Sequence, residues 1–305
     1  MDPKVQQYNR LKQAFRGKIV VNEPLSEHTS FRIGGEADYY LYPNDLEDLS
    51  SVVDFCQRER ISRFTIGNGT NLLVSDRGFK GIVIDISETF THIHCKGSIV
   101  TVGAGVNLKD FLNYCTERGL SGLESLVGIP GQVGGGIRIN AGAWGEEIFD
   151  YLLNVRMLDR LGMLERRQKD EITVGYRYTD IPSDTIIVEA QFHLSDGHPK
   201  QMESIQRTKL KERREKQPLS LPSAGSVFKH PPGDYAGRLI EETGCKGLRI
   251  GDAMVSKKHA NFIVNCHLAS AEDVIRLIRE IQNRVSERFG IELEPEIQMM
   301  GFSDR

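Results

Sequence analysis

Seven of the eighteen residues in GIPGQVGGGIRINAGAWG, positions 128 to 145, are glycine. Glycine loses more conformational freedom on folding than any other residue. A run this dense weakens a fold unless the backbone must take positive φ or lie against something that leaves no room for side chains. Its only charged member is Arg138, with Glu146 just past its end. The run is therefore expected to be backbone that a ligand approaches closely.

Two further loops are similarly bare. Gly67-Asn68-Gly69-Thr70-Asn71-Leu72 follows the strand-like RFTI, and GAGVNL (103 to 108) follows SIVTV. Glycines let successive amides converge on phosphate oxygens, and the Thr70 and Asn71 side chains add donors, so the first loop suits a pyrophosphate. Taken alone it suits a tight turn equally well. It is not a G-x-G-x-x-G fingerprint, because Asn71 stands at the third glycine and no ribose-binding acid follows at the end of a second parallel strand. Three bare loops after strand-like segments suit an extended dinucleotide.

A chain of 305 residues suggests two domains. Its 39 lysines and arginines against 42 acidic residues give a net charge of −3, which excludes a global field for nucleic acid or an anionic membrane. The first twenty-one residues alternate charge with apolar positions and hold no signal core or spanning run, so a cytoplasmic protein is expected. Cys56, Cys95, Cys115, Cys245 and Cys266 are scattered, without C-x-x-C spacing, and read as buried free thiols. His92 and His94 alternate on a strand with no carboxylate or cysteine array nearby, which reads as a solvated face and not as a metal site.

Periodicity predicts an α+β chain. Helices are expected over 45–60, 107–118 with Asn107 as N-cap and Gly119 as stop, 199–217, 234–243, and from Ser270 to a stop at Gly290 with Asp273 in capping-box spacing. Strands are expected over 63–67, 81–86, 98–105, 151–159, 185–194 and 260–265. The composition change at PKQMESIQRTKLKERREKQ places a domain boundary near residue 200.

HTSFRIGGEADYYLYP (28 to 43), IGNGTNLLVSD (66 to 76), the glycine run, GYRYT (175 to 179), PSAGSVFKHP (222 to 231), KGLRIGDAMVSKKHANFIVN (246 to 265) and LEPEIQMMG (293 to 301) resemble, in order, the signatures of the UDP-N-acetylenolpyruvoylglucosamine reductases. The resemblance implies the FAD-binding fold of the vanillyl-alcohol oxidase type in residues 1–200, with subdomains of about 1–80 and 81–200, followed by an α+β substrate-binding domain in 201–305. The short DIPSDT after GYRYT is similar to the shorter, type II members, and His230 departs from FKNP.

The implied activity is NADPH-dependent, FAD-mediated reduction of the enolpyruvyl group of a UDP-sugar in peptidoglycan precursor synthesis, by a monomer holding FAD non-covalently and using no metal. The implied cofactor positions are Gly67, Asn68, Gly69, Thr70, Asn71, Leu72, Gly131, Gly134, Gly135, Asn140, Ala141 and Gly142. Tyr176, Lys216, Lys229, His230 and Lys246 are the implied substrate contacts. Arg177 would hold the carboxylate where enolate charge develops, Glu296 would be its carboxyl partner, and Ser226 would protonate the adjacent carbon. Glu294 reads as an exposed neighbour. Two alternatives are a flavin oxidase of the same fold, whose usual histidine or cysteine tether GNGTNLLVSD lacks, and a non-catalytic nucleotide-sugar sensor, which the retained Arg177, Ser226 and Glu296 argue against.

Overall fold

The structure is a computed structural model and describes residues 3–302. The described residues form two compact units, one of residues 3–21, 38–67 and 81–210, the other of 22–37, 68–80 and 211–302.

The first unit carries a five-stranded antiparallel sheet in the order Leu164–Gln168, Leu152–Leu158, Ile186–His193, Ile99–Gly103, Ile93–Lys96. It also holds most of a four-stranded sheet ordered Lys18–Pro24, Glu36–Tyr42, Phe79–Asp85, Arg63–Ile66, in which the last two strands run parallel. The helix Leu46–Glu59 shows why these sheets are covered where they are. Asp45 caps it by accepting from Asp48 N, Arg60 ends it in left-handed backbone, and Leu49, Val52, Val53, Phe55 and Cys56 fall on one stripe that the core buries. Each such side chain contributes about 1.5–3 kcal/mol when fully buried.

The helix Leu108–Glu117 starts after Asn107 as expected, although that side chain makes no capping bond to the backbone; its amide meets Asp110 Oδ2 at 3.4 Å. Gly119 follows in left-handed backbone with φ +65.

In the second unit an antiparallel sheet, Arg249–Ile250, Ala253–Val255 and Ile263–Asn265, packs with the helices Ala236–Glu242 and Ala271–Phe289. The long helix has the expected ends: Ser270 accepts from Asp273 N, Asp273 accepts from Ser270 N, and Gly290 closes it at φ +66. Ser270→Ala is expected to lower stability by about 1 kcal/mol in urea denaturation. The strand expected over 260–265 shortens to Ile263–Asn265. Its first half is diverted because Phe262 N turns back to His259 O, while the Asn261 side chain is committed to the Phe228 backbone.

The compact units do not divide at the expected single boundary near residue 200, which lies just inside the helix Pro199–Lys216. Residues 68–80 join the second unit because Leu72–Val74 pairs in parallel with Gln298–Met300, and because Asp76 accepts from Ala271 N and Glu272 N at the start of the long helix. Neither tie has a local sequence signal.

The cysteines correct one expectation. Cys56, Cys115 and Cys245 are buried, but Cys95 is exposed and Cys266 half-buried, because each of these two lies near the rim of its unit's sheet. Burial pushes the thiols of Cys56 and Cys115 up to about 12. No group of three or more potential metal ligands gathers among the described residues, and none of their helices is long and apolar enough to cross a membrane.

Candidate active site and flavin cradle

The glycine run is held against the GAGVNL loop by its own backbone. Leu108 N donates to Gly131 O, Val133 N to Val106 O and Gly134 N to Ala104 O, each at 2.9 Å. This knitting separates glycines the fold demands from those it does not. Gly131 has φ +105, a Cβ on Gly134 would stand 2.9 Å from Ala104 Cβ, and one on Gly142 would stand 2.5 Å from Glu146 O. At Gly67 the obstacle is Gln132 Oε1 at 2.1 Å, and at Gly69 it is His28 O at 2.1 Å with φ +56. Gly135 differs from these: it lies in helical backbone and an added Cβ would meet nothing within 4 Å.

The polar atoms lining these segments indicate what they suit. Gln132 Oε1 and Asn140 Oδ1 are buried without a hydrogen-bond partner among the described residues. Buried amide oxygens are rarely left so. Two unmatched acceptors and one bare helical position in a single glycine-rich segment fit a ligand that brings its own donors, as FAD does with its hydroxyl and N–H groups.

Arg177 lies in the same unit and in left-handed backbone, φ +53, as do Asn140 at +46 and Trp144 at +53. Such conformations cost of order 1–3 kcal/mol each outside glycine and cluster at functional sites. The Arg177 guanidinium donates to Asn140 O at 3.2 Å and Gly142 O at 2.5 Å, lies 3.9 Å from Glu147 Oε1 and stacks 4.9 Å from the Tyr176 ring. Asn140 Nδ2 in turn donates to Glu147 Oε2 and to Gly175 O. The hairpin turn that carries Arg177, between Val174–Gly175 and Tyr178–Thr179, is therefore bound to the last part of the glycine run, residues 140–142. Arg138, the polar intrusion in that run, points elsewhere: its guanidinium donates to Pro182 O at 2.8 Å and Thr185 O at 2.6 Å, and pins the DIPSDT turn. Burial pulls its pKa down.

In the second unit Ser226 and Glu296 come from neighbouring segments. Glu296 N donates to Val227 O at 2.7 Å, Lys229 N donates to Glu294 O at 2.9 Å, and a bridge pairs Phe228 with Pro295. Asn261 holds the other side of this segment, accepting from Phe228 N and donating to Phe228 O. Asn71, expected to serve the flavin, donates its side-chain amide to Glu296 O at 3.2 Å.

The implied substrate lysines each have an acidic neighbour: Lys229 with Glu294 at 2.7 Å, Lys246 with Glu241 at 2.7 Å and Lys216 with Glu212 at 3.4 Å. Glu294 is thus exposed but paired. His230 Nδ1 accepts from Ala236 N, and its ring meets Tyr235 edge-on. His259 was not foreseen. Burial, then the charges of Lys246 and His230, two groups expected to meet phosphates, pull its pKa down. Gln132, Glu147 and Asn261 are the other unforeseen members, since each acts across a long sequence separation.

Residues 37–167 match the family described as an FAD binding domain, and residues 217–300 match the C-terminal domain of UDP-N-acetylenolpyruvoylglucosamine reductase. The class defined by fold and site is a flavin-dependent oxidoreductase with the FAD-binding fold of the vanillyl-alcohol oxidase type and a second α+β domain. The crystal structure of the UDP-N-acetylenolpyruvylglucosamine reductase (MurB) from Thermus caldophilus is similar with a TM-score of 0.78 and 35% identity, over 93% of this chain and 99% of that one. UDP-N-acetylenolpyruvoylglucosamine reductase of Lachnoclostridium phytofermentans is 41% identical over 93% of both chains, and UDP-N-acetylenolpyruvoylglucosamine reductase 2 of Symbiobacterium thermophilum is 42% identical over 96% of both. The chain belongs to the UDP-N-acetylenolpyruvoylglucosamine reductase family.

Proposed function

We propose that the protein reduces the enolpyruvyl ether of UDP-N-acetylglucosamine enolpyruvate to UDP-N-acetylmuramate, with NADPH as electron donor, in peptidoglycan precursor synthesis. The observation that carries this reading is relatedness running through both halves of the chain, at 41% identity over 93% of its length. Non-covalent FAD, held by the glycine-rich loops around Gly67 and Gly135, would supply the hydride chemistry that links NADPH to the terminal carbon of the enolpyruvyl double bond. The residues supply the rest.

Arg177 stabilises the enolate charge that hydride addition pushes toward the substrate carboxylate. Its carbonyl bonds to Asn140 and Gly142 fix where that charge sits. Ser226 supplies the proton to the carbon next to the carboxylate, and Glu296, fixed through its own backbone to Val227 and Asn71, is the carboxyl group at the enolate. Lys216, Lys229, His230 and Lys246 meet the diphosphate, each lysine exchanging its acidic neighbour for phosphate oxygens, and Tyr176 packs on the sugar or the flavin. Asn68, Gly69, Thr70, Asn71 and Leu72, with Gly67, Gly131, Gly134, Gly135, Asn140, Ala141 and Gly142, line the flavin. We place the protein in the cytoplasm as a monomer, where NADPH and nucleotide sugars are available; light scattering on the FAD-loaded protein tests the monomer.

The visible spectrum tests the flavin reading directly. A yellow protein that releases unmodified FAD on denaturation and bleaches with NADPH supports it, and a colourless protein that FAD cannot reconstitute refutes it. Gly135 sharpens the placement. Because nothing stands before its Cβ, Gly135→Val is expected to leave the apoprotein's melting temperature near wild type while FAD retention falls sharply. Stoichiometric FAD in that variant would move the cofactor away from Gly135.

A further inference from the structure

Gln132 stands just before the short helix Val133–Arg138 and is only 4% exposed. Its backbone is fixed first, by a bridge to Asn107 flanked by the bonds from Leu108 N to Gly131 O and from Val133 N to Val106 O. The side chain is then fixed from the nitrogen end: Nε2 donates to Gly105 O at 2.8 Å and to Ser87 O at 3.2 Å. An amide nitrogen has two hydrogens, and both are used. Turning the amide over would set its oxygen against two carbonyl oxygens, so its orientation is determined. Oε1 faces the α-carbon of Gly67, where a Cβ would stand 2.1 Å away, and has no partner among the described residues.

The three backbone positions around this amide all follow strands. Gly67 follows Arg63–Ile66, Ser87 follows Phe79–Asp85 and Gly105 follows Ile99–Gly103, so the carboxamide ties together strand ends from both sheets of the first unit. A buried carbonyl oxygen turned toward such a place calls for a donor. A phosphate cannot be that donor, because its ionised oxygens only accept. The hydroxyls flanking the pyrophosphate of FAD can, and Gly67 opens the loop assigned to that pyrophosphate.

We propose that Gln132 is a flavin-binding residue whose Oε1 accepts a hydrogen bond from a sugar hydroxyl of FAD, ribityl or ribose. Gly67 is bare so that this oxygen can reach the strand end. The proposal rests on the flavin reading above, and its test is a binding measurement that does not need turnover.

Apoprotein is titrated with FAD and with analogues that each lack one ribityl or ribose hydroxyl, for wild type and for Gln132→Met, following flavin fluorescence. In wild type one analogue is expected to bind about tenfold more weakly than FAD, the worth of one buried hydrogen bond. In Gln132→Met, FAD itself weakens by a similar factor and that analogue binds no worse than FAD, the coupling expected of direct partners. Penalties that are the same in both proteins for every analogue would overturn the proposal. FMN, which keeps the ribityl chain but lacks the ribose, tells the two sources apart, since the Gln132→Met penalty persists on FMN only for a ribityl partner. Loss of the Nε2 bonds alone could unfold the variant. In that case a crystal structure of the FAD-loaded wild type decides: a flavin hydroxyl within about 3.2 Å of Oε1 supports the proposal, and a phosphate oxygen, a carbon or only water there rejects it. Wild type that binds no FAD would remove the flavin reading and this proposal with it, a result distinct from FAD binding without coupling.

Discussion

Replacing Ser226 by alanine is expected to leave NADPH-driven bleaching of the flavin nearly intact while slowing reoxidation of the reduced flavin by the enolpyruvyl substrate by about 10² to 10⁴-fold, the usual worth of a positioned proton donor. The asymmetry arises because the first half-reaction needs only a hydride acceptor, whereas the second needs a proton at carbon. Misfolding is a poor alternative explanation. Ser226 is half-buried, its segment is held by backbone bonds from Glu296 N to Val227 O and from Val227 N to Asn261 O, and these survive loss of one hydroxyl. Stopped-flow absorbance of each half-reaction checks the expectation. Unchanged reoxidation in the variant would remove Ser226 from the chemistry.

Arg177→Lys is the second large effect. The substitution keeps a cation but loses the planar fork, and the single ammonium cannot hold Asn140 O and Gly142 O in the same geometry while facing a developing carboxylate charge. Reoxidation by substrate is expected to slow by about 10² to 10³, as for loss of one preorganised donor to an oxyanion. A purely structural arginine behaves differently. It would cost stability and FAD retention through the freed residues 140–142, with the two half-reactions slowed alike in whatever protein keeps its flavin. Measuring bleaching and reoxidation on the FAD-loaded fraction separates the two cases.

What could be read from the sequence was what is settled locally. Ser270, Asp273 and Gly290 announce a helix whose ends satisfy their own backbone groups. The strand-like runs 151–159 and 185–194 match the central strands of the five-stranded sheet to within a residue or two at each end. The glycine run stands out in the sequence as an expected ligand loop, yet its glycines look alike there. Only the structure divides Gly134, blocked by Ala104, from Gly135, which faces open space.

Residues that act at a distance were not legible. Asp76 caps a helix 195 residues away, Asn261 clamps a segment 33 residues back, and Gln132 binds strand ends 27 and 45 residues away. A carboxamide or carboxylate has no periodicity to betray such partners. The same limit misplaced the domain boundary, since the composition change near residue 200 is real but residues 68–80 are bound to the C-terminal strand through Leu72–Val74. The family resemblance named Arg177, Ser226 and Glu296. The left-handed backbone at Arg177 and the tie between Asn71 and Glu296 are what the structure adds to two of them.

Anaerobic reduction of the bound flavin with one equivalent of NADPH, followed by addition of UDP-N-acetylglucosamine enolpyruvate, separates a reductase from an oxidase. Rapid return of the oxidised flavin spectrum is expected, with formation of one equivalent of UDP-N-acetylmuramate. Reduced flavin that persists with this substrate, yet reoxidises as soon as oxygen is admitted, would contradict the reductase reading and favour the oxidase reading.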